Sequence, residues 1–225
     1  MDRGRALEDA LTETPSFNAL EGRDRAFARA LVTAGLRRLG GLNTVLSQFL
    51  DRPLPDNAPH ARALLHIGAA QLLVLGTPPH AAVGETVETA NGMREARGFA
   101  KLMNAVLRKV ARDGQPILDS LPPGADLPQW LYTRWRAAYG AAAPSIAQAL
   151  ATEPPLDLSV KSDAAGWADK LGGAVTPTGS VRLGEHAPVE TLPGFDEGAW
   201  WVQDAAAALP ARLLGEVRGK RVLDL

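Results

Sequence analysis

Phe99-Ala100-Lys101-Leu102-Met103-Asn104-Ala105-Val106-Leu107-Arg108-Lys109-Val110-Ala111-Arg112 is a run with two faces. Phe99, Leu102, Val106 and Val110 recur every three or four residues, the period of an α-helix that buries one side. Lys101, Asn104, Arg108 and Arg112 keep the same spacing on the opposite side, with Lys109 beside them. Gly114 is expected to end the helix.

Working back from this run, the signals remain helical. Val83, Val87 and Ala90 predict a helix that reaches Gly92. Before it, Leu64, Gly68, Leu72 and Leu75 predict a strongly apolar one, opened by Pro59 and closed by Gly76 and Pro78-Pro79. Leu42, Val45, Leu46 and Phe49 make another stripe, stopped by Pro53 and Pro55. Asp24 is placed to cap a helix through Arg38, with Phe27, Leu31, Gly35 and Leu39 on its inner side. Short helices joined by short loops pack as an all-α bundle.

Working forward, prolines at 116, 122, 123 and 128 interrupt the chain before a helical stretch from about Trp130 to Ala151. Pro154-Pro155 closes that connector. Leu156-Asp157-Leu158-Ser159-Val160-Lys161 then alternates strictly, as a half-buried strand does. Asp163 to Leu171 suits a short helix packed through Trp167 and Leu171, and Gly172-Gly173 suits a turn. Val181-Arg182-Leu183 and Trp200-Trp201-Val202 are further strands, with one tryptophan packed in the core and the other outward. Asp204 caps a helix expected through Leu214, although Pro210 falls inside it. Val222-Leu223-Asp224-Leu225 reads as a short buried strand after a Gly219 turn.

Composition narrows the function classes. Hydrophobic residues make up 46% and charged residues 22%, ordinary proportions for a globular protein with its own core. No stretch approaches the roughly 20 apolar residues that cross a bilayer, and the N-terminus lacks a secretory pattern. A cytoplasmic location follows as the expectation. There is no cysteine, which excludes disulfides, thiolate metal sites and a cysteine nucleophile within these residues. The four histidines show no metal-binding spacing, so no metal is expected. The net charge of −1 hides an asymmetry: residues 1–112 hold 15 Lys+Arg against 11 Asp+Glu, and the remainder 9 against 14.

Two readings fit the cationic row on the 99–112 helix. Successive Lys and Arg side chains neutralise phosphates, and Asn donates to a sugar or base. A solvated face whose long stems cover apolar neighbours has the same pattern. The candidate RNA-binding residues are Lys101, Asn104, Arg108, Lys109 and Arg112, with Arg23 and Arg25 from the earlier helix. His80 sits near a helix start, where a lone histidine is structural more often than catalytic. Gln203 and Asp204 fit a helix cap better than carboxylate chemistry. No catalytic residue is assigned.

Three segments together resemble the NusB family of RNA-binding helical domains. They are Ala63-Leu64-Leu65-His66-Ile67-Gly68-Ala69-Ala70-Gln71-Leu72-Leu73, Pro78-Pro79-His80-Ala81-Ala82-Val83 with Glu85 and Val87, and Asn104-Ala105-Val106-Leu107-Arg108. Later segments resemble the RsmB (Sun, Fmu) family of 16S rRNA cytosine-C5 methyltransferases, which contain such a domain. These are Leu127-Pro128-Gln129-Trp130-Leu131, Tyr139-Gly140, Pro155-Leu156 with Leu158 and Val160, Leu192-Pro193-Gly194-Phe195, and Trp201-Val202-Gln203-Asp204-Ala205-Ala206. The succession continues into Gly219 and Val222-Leu223-Asp224-Leu225, so the likeness covers nearly the whole chain.

The resemblance implies a mainly α architecture. A NusB-like all-α helical bundle (1–115) and a helical connector (116–155) precede a small α+β subdomain (156–202). Residues 203–225 would open a Rossmann-like methyltransferase domain that uses S-adenosyl-L-methionine. The glycine-rich cofactor loop of that family is not among these residues, so Asp224 at most borders the cofactor site and the cofactor is not expected to bind well. The family's two catalytic cysteines are also missing, and without covalent activation at C6 cytosine takes no methyl at C5. The expectation is therefore an rRNA-binding N-terminal portion, truncated and inert as it stands, with small-subunit rRNA as its partner. Self-association through the C-terminal strand is a further expectation. Where the family strand carries Arg and Asn, this chain has Ser159 and Lys161, which puts any RNA contact there in doubt. The rival readings are a non-catalytic NusB-like antitermination or ribosome-assembly factor, and a helical domain that binds a protein partner.

Overall fold

The computed structural model describes residues 4–184 and 188–223. It divides into two compact units, Met1–Thr152 and Glu153–Leu225, each taken below by itself.

The first unit is helical throughout: α1 (Leu7–Thr12), α2 (Pro15–Asn18), α3 (Gly22–Arg37), α4 (Leu39–Phe49), α5 (Pro59–Leu73), α6 (Pro79–Gly92), α7 (Ala100–Asp119), α8 (Gln129–Tyr139) and α9 (Ala143–Ala151). Pro59 and Pro79 stand in the first turns of α5 and α6, where a proline loses no helical hydrogen bond. Gly76, at φ +64°, lets the chain leave α5, with the Thr77 N–H returning to the Gln71 carbonyl at 2.8 Å. At the centre lies α5, packed against α3, α4, α6 and α7. Leu42, Val45 and Leu46 of α4 meet Leu64, Leu65 and Ala69 of α5, Val83 of α6, and Met103, Val106, Leu107 and Val110 of α7 in one core. Each buried Leu or Val of this set contributes about 1.5–3 kcal/mol over its exposed state. Gly68 admits α7: a Cβ there would stand 2.6 Å from Leu107 Cδ1.

Several expectations are corrected. The buried seam of α7 is Met103, Val106, Leu107 and Val110, whereas Leu102, a residue off that seam, is 38% exposed. Beyond Gly114, α7 continues through Pro116 to Asp119, because Ile117 and Leu118 prolong its apolar face and Gly114 fits against Leu73. Asp24 does not cap α3; Glu21 holds the N-cap position and Asp24 sits in the first turn, where it suits the helix dipole. Phe27 stays half exposed, since Ala34 is the residue α3 buries and Gly35 faces Ala70.

At the start of α4 the backbone passes so close to residues 122–126 that a Cβ on Gly40 would stand 2.0 Å from the Ala125 carbonyl oxygen. Asp126 fastens this contact: its Oδ1 accepts the Gly41 N–H at 2.8 Å, and its Oδ2 lies 2.9 Å from Arg38 Nε as an ion pair.

The second unit holds β1 (Leu156–Val160), α10 (Ala164–Leu171), β2 (Gly173–Val175), β3 (Val181–Leu183), β4 (Trp200–Val202) and the short α11 (Leu209–Leu213). The strands form one antiparallel sheet in the order β2-β3-β1-β4, with Asp157 opposite Arg182 and Ser159 opposite Trp201. Leu158, Val181, Leu183 and Trp200 pack with Ala168 of α10. Asp163 caps α10, its Oδ1 accepting the Gly166 N–H at 3.0 Å from a left-handed backbone (φ +52°). Gly172 ends that helix, and Gly173, expected in the turn, already opens β2.

Strand β1 is buried on both faces and not half-buried as the alternation predicts. The segment after β4 folds over its polar side: the Gln203 N–H donates to the Asp157 carbonyl at 3.0 Å, and Ser159 Oγ donates to Gln203 Oε1 at 2.7 Å. Asp204 does cap, accepting the Ala206 and Ala207 N–H groups at 2.8 and 3.2 Å, but it caps a turn. The helix begins only at Leu209, with Pro210 in its first turn. Val222 and Leu223 are exposed and belong to no strand, while Asp224 and Leu225 lie outside the described residues.

Candidate nucleic-acid interface

On α7 the side chains of Lys101, Arg108, Lys109 and Arg112 are exposed and Asn104 is half-buried. At 100° per residue, Lys101, Arg108 and Arg112 fall within about 40° of one line, spread over roughly 16 Å of helix. Asn104 and Lys109 flank that line. Arg108 Nε donates to Asn104 Oδ1 at 3.0 Å, so one turn of the helix presents a fixed guanidinium beside an amide whose N–H donors have no partner among the described residues. Arg112 is engaged differently. It grips Asp113, with Nη2 2.7 Å and Nε 2.9 Å from Oδ2. That hydrogen bonding raises the Arg112 pKa and holds the Asp113 carboxyl below its usual range.

A groove of ≈ 500 Å³ runs between α6 and α7, lined by Pro79, His80, Val83, Gly84, Val87, Glu88 and Asn91 with Asn104 and Arg108. The fold thus brings two separate sequence motifs, Pro78 to Glu85 and Asn104 to Arg108, onto one surface. Its apolar lining comes from Pro79, Val83 and Val87. Its polar lining carries donors on Asn91, Asn104 and Arg108 and an acceptor on Glu88. A flat heterocycle with a phosphate beside it matches those groups. Glu88 and Asn91 escaped the sequence reading because their place opposite α7 depends on how two helices cross.

Arg23 and Arg25 do not join this surface. They stand in the first turns of α3, which packs on α5, α4 and α2. Arg25 lies over the Phe17 ring at 5.1 Å, and Arg29 covers the same ring while pairing with Glu8. The cations expected as one set therefore form two.

Outside the groove, His66 joins two helices, its Nδ1 2.7 Å from the Arg62 carbonyl oxygen and its Nε2 2.6 Å from Asn43 Oδ1. In the second unit Ser159, doubtful as an RNA contact, is buried against Gln203, and Lys161 remains exposed. Trp200 is buried with Nε1 donating to the Pro193 carbonyl at 2.9 Å, and Trp201 is 48% exposed, the division expected of the pair. Among the described residues no group of three His, Asp or Glu side chains could hold a metal. No described helix is long and apolar enough to cross a membrane.

Residues 1–112 match the NusB family. The chain is 37% identical to ribosomal RNA small subunit methyltransferase B of Xanthomonas campestris, in an alignment covering 99% of the chain and 52% of the relative. Against the proteins of that name from Xylella fastidiosa and Cronobacter sakazakii, identity is 36% and 31% over the whole chain and 54% and 55% of the relatives. The chain spans about half the length of these relatives. Residues 1–112 are thus similar to the NusB family, and the chain along almost its entire length to ribosomal RNA small subunit methyltransferase B.

Proposed function

We propose that this chain is the rRNA-handling portion of a 16S rRNA (cytosine-C5) methyltransferase. The observation that carries the reading is the extent of the match, which spans the helical domain, the α8–α9 segment and the antiparallel unit. The row of Lys101, Arg108 and Arg112 takes the phosphate backbone, and the α6–α7 groove takes an unpaired nucleotide against Asn104 and Arg108. Phosphate contacts set register, and amide contacts add preference for one base edge.

The methyl donor of such an enzyme is S-adenosyl-L-methionine, and the described residues do not fit it. A cofactor of this class sits beyond the carboxyl ends of parallel strands. Here every strand pairing is antiparallel, and Val222 and Leu223 join no strand. The proposal that Asp224 borders such a site concerns a residue outside the described ones. With no cysteine in 225 residues, the chain supplies no thiolate to attack cytosine C6. Its part is to bind and orient rRNA.

The test has two arms. The purified chain should retain small-subunit rRNA and transfer no labelled methyl from S-adenosyl-L-methionine. The full-length gene product should transfer it. If that product leaves the RNA unlabelled, the methyltransferase reading fails and an RNA-binding assembly factor replaces it. If the chain itself binds no rRNA, the RNA-handling reading fails.

A further inference from the structure

Helix α8, outside the 1–112 match, buries none of its residues fully. Its inner side is held by Tyr132, whose ring lies against the backbone of Gly124, where a Cβ would come within 2.7 Å of the ring. The outer side carries Trp130 and Arg134 one turn apart, with Thr133 and Ala137 next to them. Trp130 is 67% exposed, a large indole left in water on a well-formed helix. Arg134 is exposed too and among the described residues has no ion pair or hydrogen bond, while Arg136, also exposed, lies round the helix on the Tyr132 side. From Leu127 to Thr152 the sequence contains these two arginines and not one Asp or Glu. This face is locally cationic in a half of the chain that is acidic as a whole.

We infer that the Trp130–Arg134 face of α8 is a second RNA contact, where an unpaired base stacks on the Trp130 indole while Arg134 meets a flanking phosphate. The charge decides the class of partner. An apolar protein surface would leave the Arg134 guanidinium to be desolvated without an acid, whereas single-stranded RNA offers a π-face and anionic oxygens together. Stacking on one aromatic side chain tolerates any base, so this contact adds affinity with little sequence preference. The inference rests on the RNA-handling reading and adds a site separate from the α6–α7 groove.

The experiment measures binding of a labelled single-stranded oligoribonucleotide and its duplex counterpart to the full chain, at several salt concentrations. Trp130→Ala should weaken single-strand binding by roughly 5- to 100-fold, as expected for one lost stack, with Trp130→Phe restoring most of it and duplex binding little changed. Arg134→Ala should flatten the salt dependence by about 0.7 in log–log slope. An unaltered melting temperature shows that Trp130→Ala is folded. If Trp130→Ala binds single strands as the parent does while Lys101→Glu with Arg108→Glu loses binding, the α8 site is overturned and the groove reading stands. That is the outcome expected where another protein segment covers Trp130. If the parent chain binds no RNA, both fall together.

Discussion

The carboxylate of Asp157, on β1, receives both arms of the Arg182 guanidinium from β3, Nε to Oδ1 at 2.7 Å and Nη2 to Oδ2 at 2.8 Å. The Asp157 side chain is 1% exposed, and its Oδ2 also accepts the Ala205 N–H at 3.0 Å. One side chain thereby ties two strands to the segment that follows β4.

The first prediction concerns acid. The Arg182 hydrogen bonds, with a smaller contribution from the Ala205 N–H, hold the Asp157 carboxyl below the usual carboxylate range against the opposing effect of burial. A depressed folded-state pKa means that the unfolded chain takes up this proton first. The stabilisation is complete above the ordinary Asp pKa of about 4 and is lost as pH falls through the lower folded value. Melting temperature measured downward from neutral pH should drop less steeply below about pH 4 in Asp157→Asn than in the parent, from a lower starting point. Equal slopes would contradict this.

Arg182→Ala should cost the second unit roughly 2–3 kcal/mol, less than for a fully buried pair because half of Arg182 already lies in water. Urea unfolding followed by tryptophan fluorescence would report it. Asp157→Asn should cost less, since it leaves no unpaired buried charge.

Removing the acid beside Arg112 should strengthen RNA binding. Asp113→Asn frees a guanidinium on the cationic row, with an expected gain of severalfold at low salt that fades as ionic strength rises. Lys101→Glu, Arg108→Glu and Arg112→Glu together should abolish binding. Filter binding across a salt series checks both, and affinity unmoved by the triple change would remove α7 from the interface.

Two glycines should respond differently to the same added methyl. In Gly40→Ala the new Cβ meets the Ala125 backbone oxygen, which cannot turn aside, so a loss of about 3 kcal/mol or more is expected. In Gly68→Ala it meets the tip of Leu107, which can rotate, so about 1–2 kcal/mol is expected. Reversal of that order in thermal melts would show that residues 122–126 yield more readily than the α5–α7 seam.

The helices of the bundle were legible because prolines and glycines punctuate them at Pro59, Gly76, Pro79 and Gly92, and because apolar residues recur at helical spacing. Phe27 and Leu102 misled for a related reason. Periodicity names a stripe, but which row of it is buried depends on the neighbour, and small residues such as Ala34, Gly35 and Gly68 mark close contacts that hydrophobicity does not register. Strand β1 was visible as an alternation, yet the covering of Asp157 and Ser159 was not, because it depends on a segment 44 residues away from Ser159. The cationic row on α7 was likewise visible, while the groove that Asn104 lines needed Glu88 and Asn91 from another helix.

The Tyr132–Gly124 contact has a consequence for the order in which the first unit opens. Without a completely buried side chain of its own, α8 is held by partial contacts, whereas α5 and α7 sit in the core. Amide deuterium uptake should reach Gln129–Tyr139 well before Pro59–Leu73, and brief protease treatment should nick the chain near Gly140 while the core helices stay whole. The element proposed to reach for RNA is then also the first to loosen, which lets it settle onto an irregular strand without disturbing the bundle behind it.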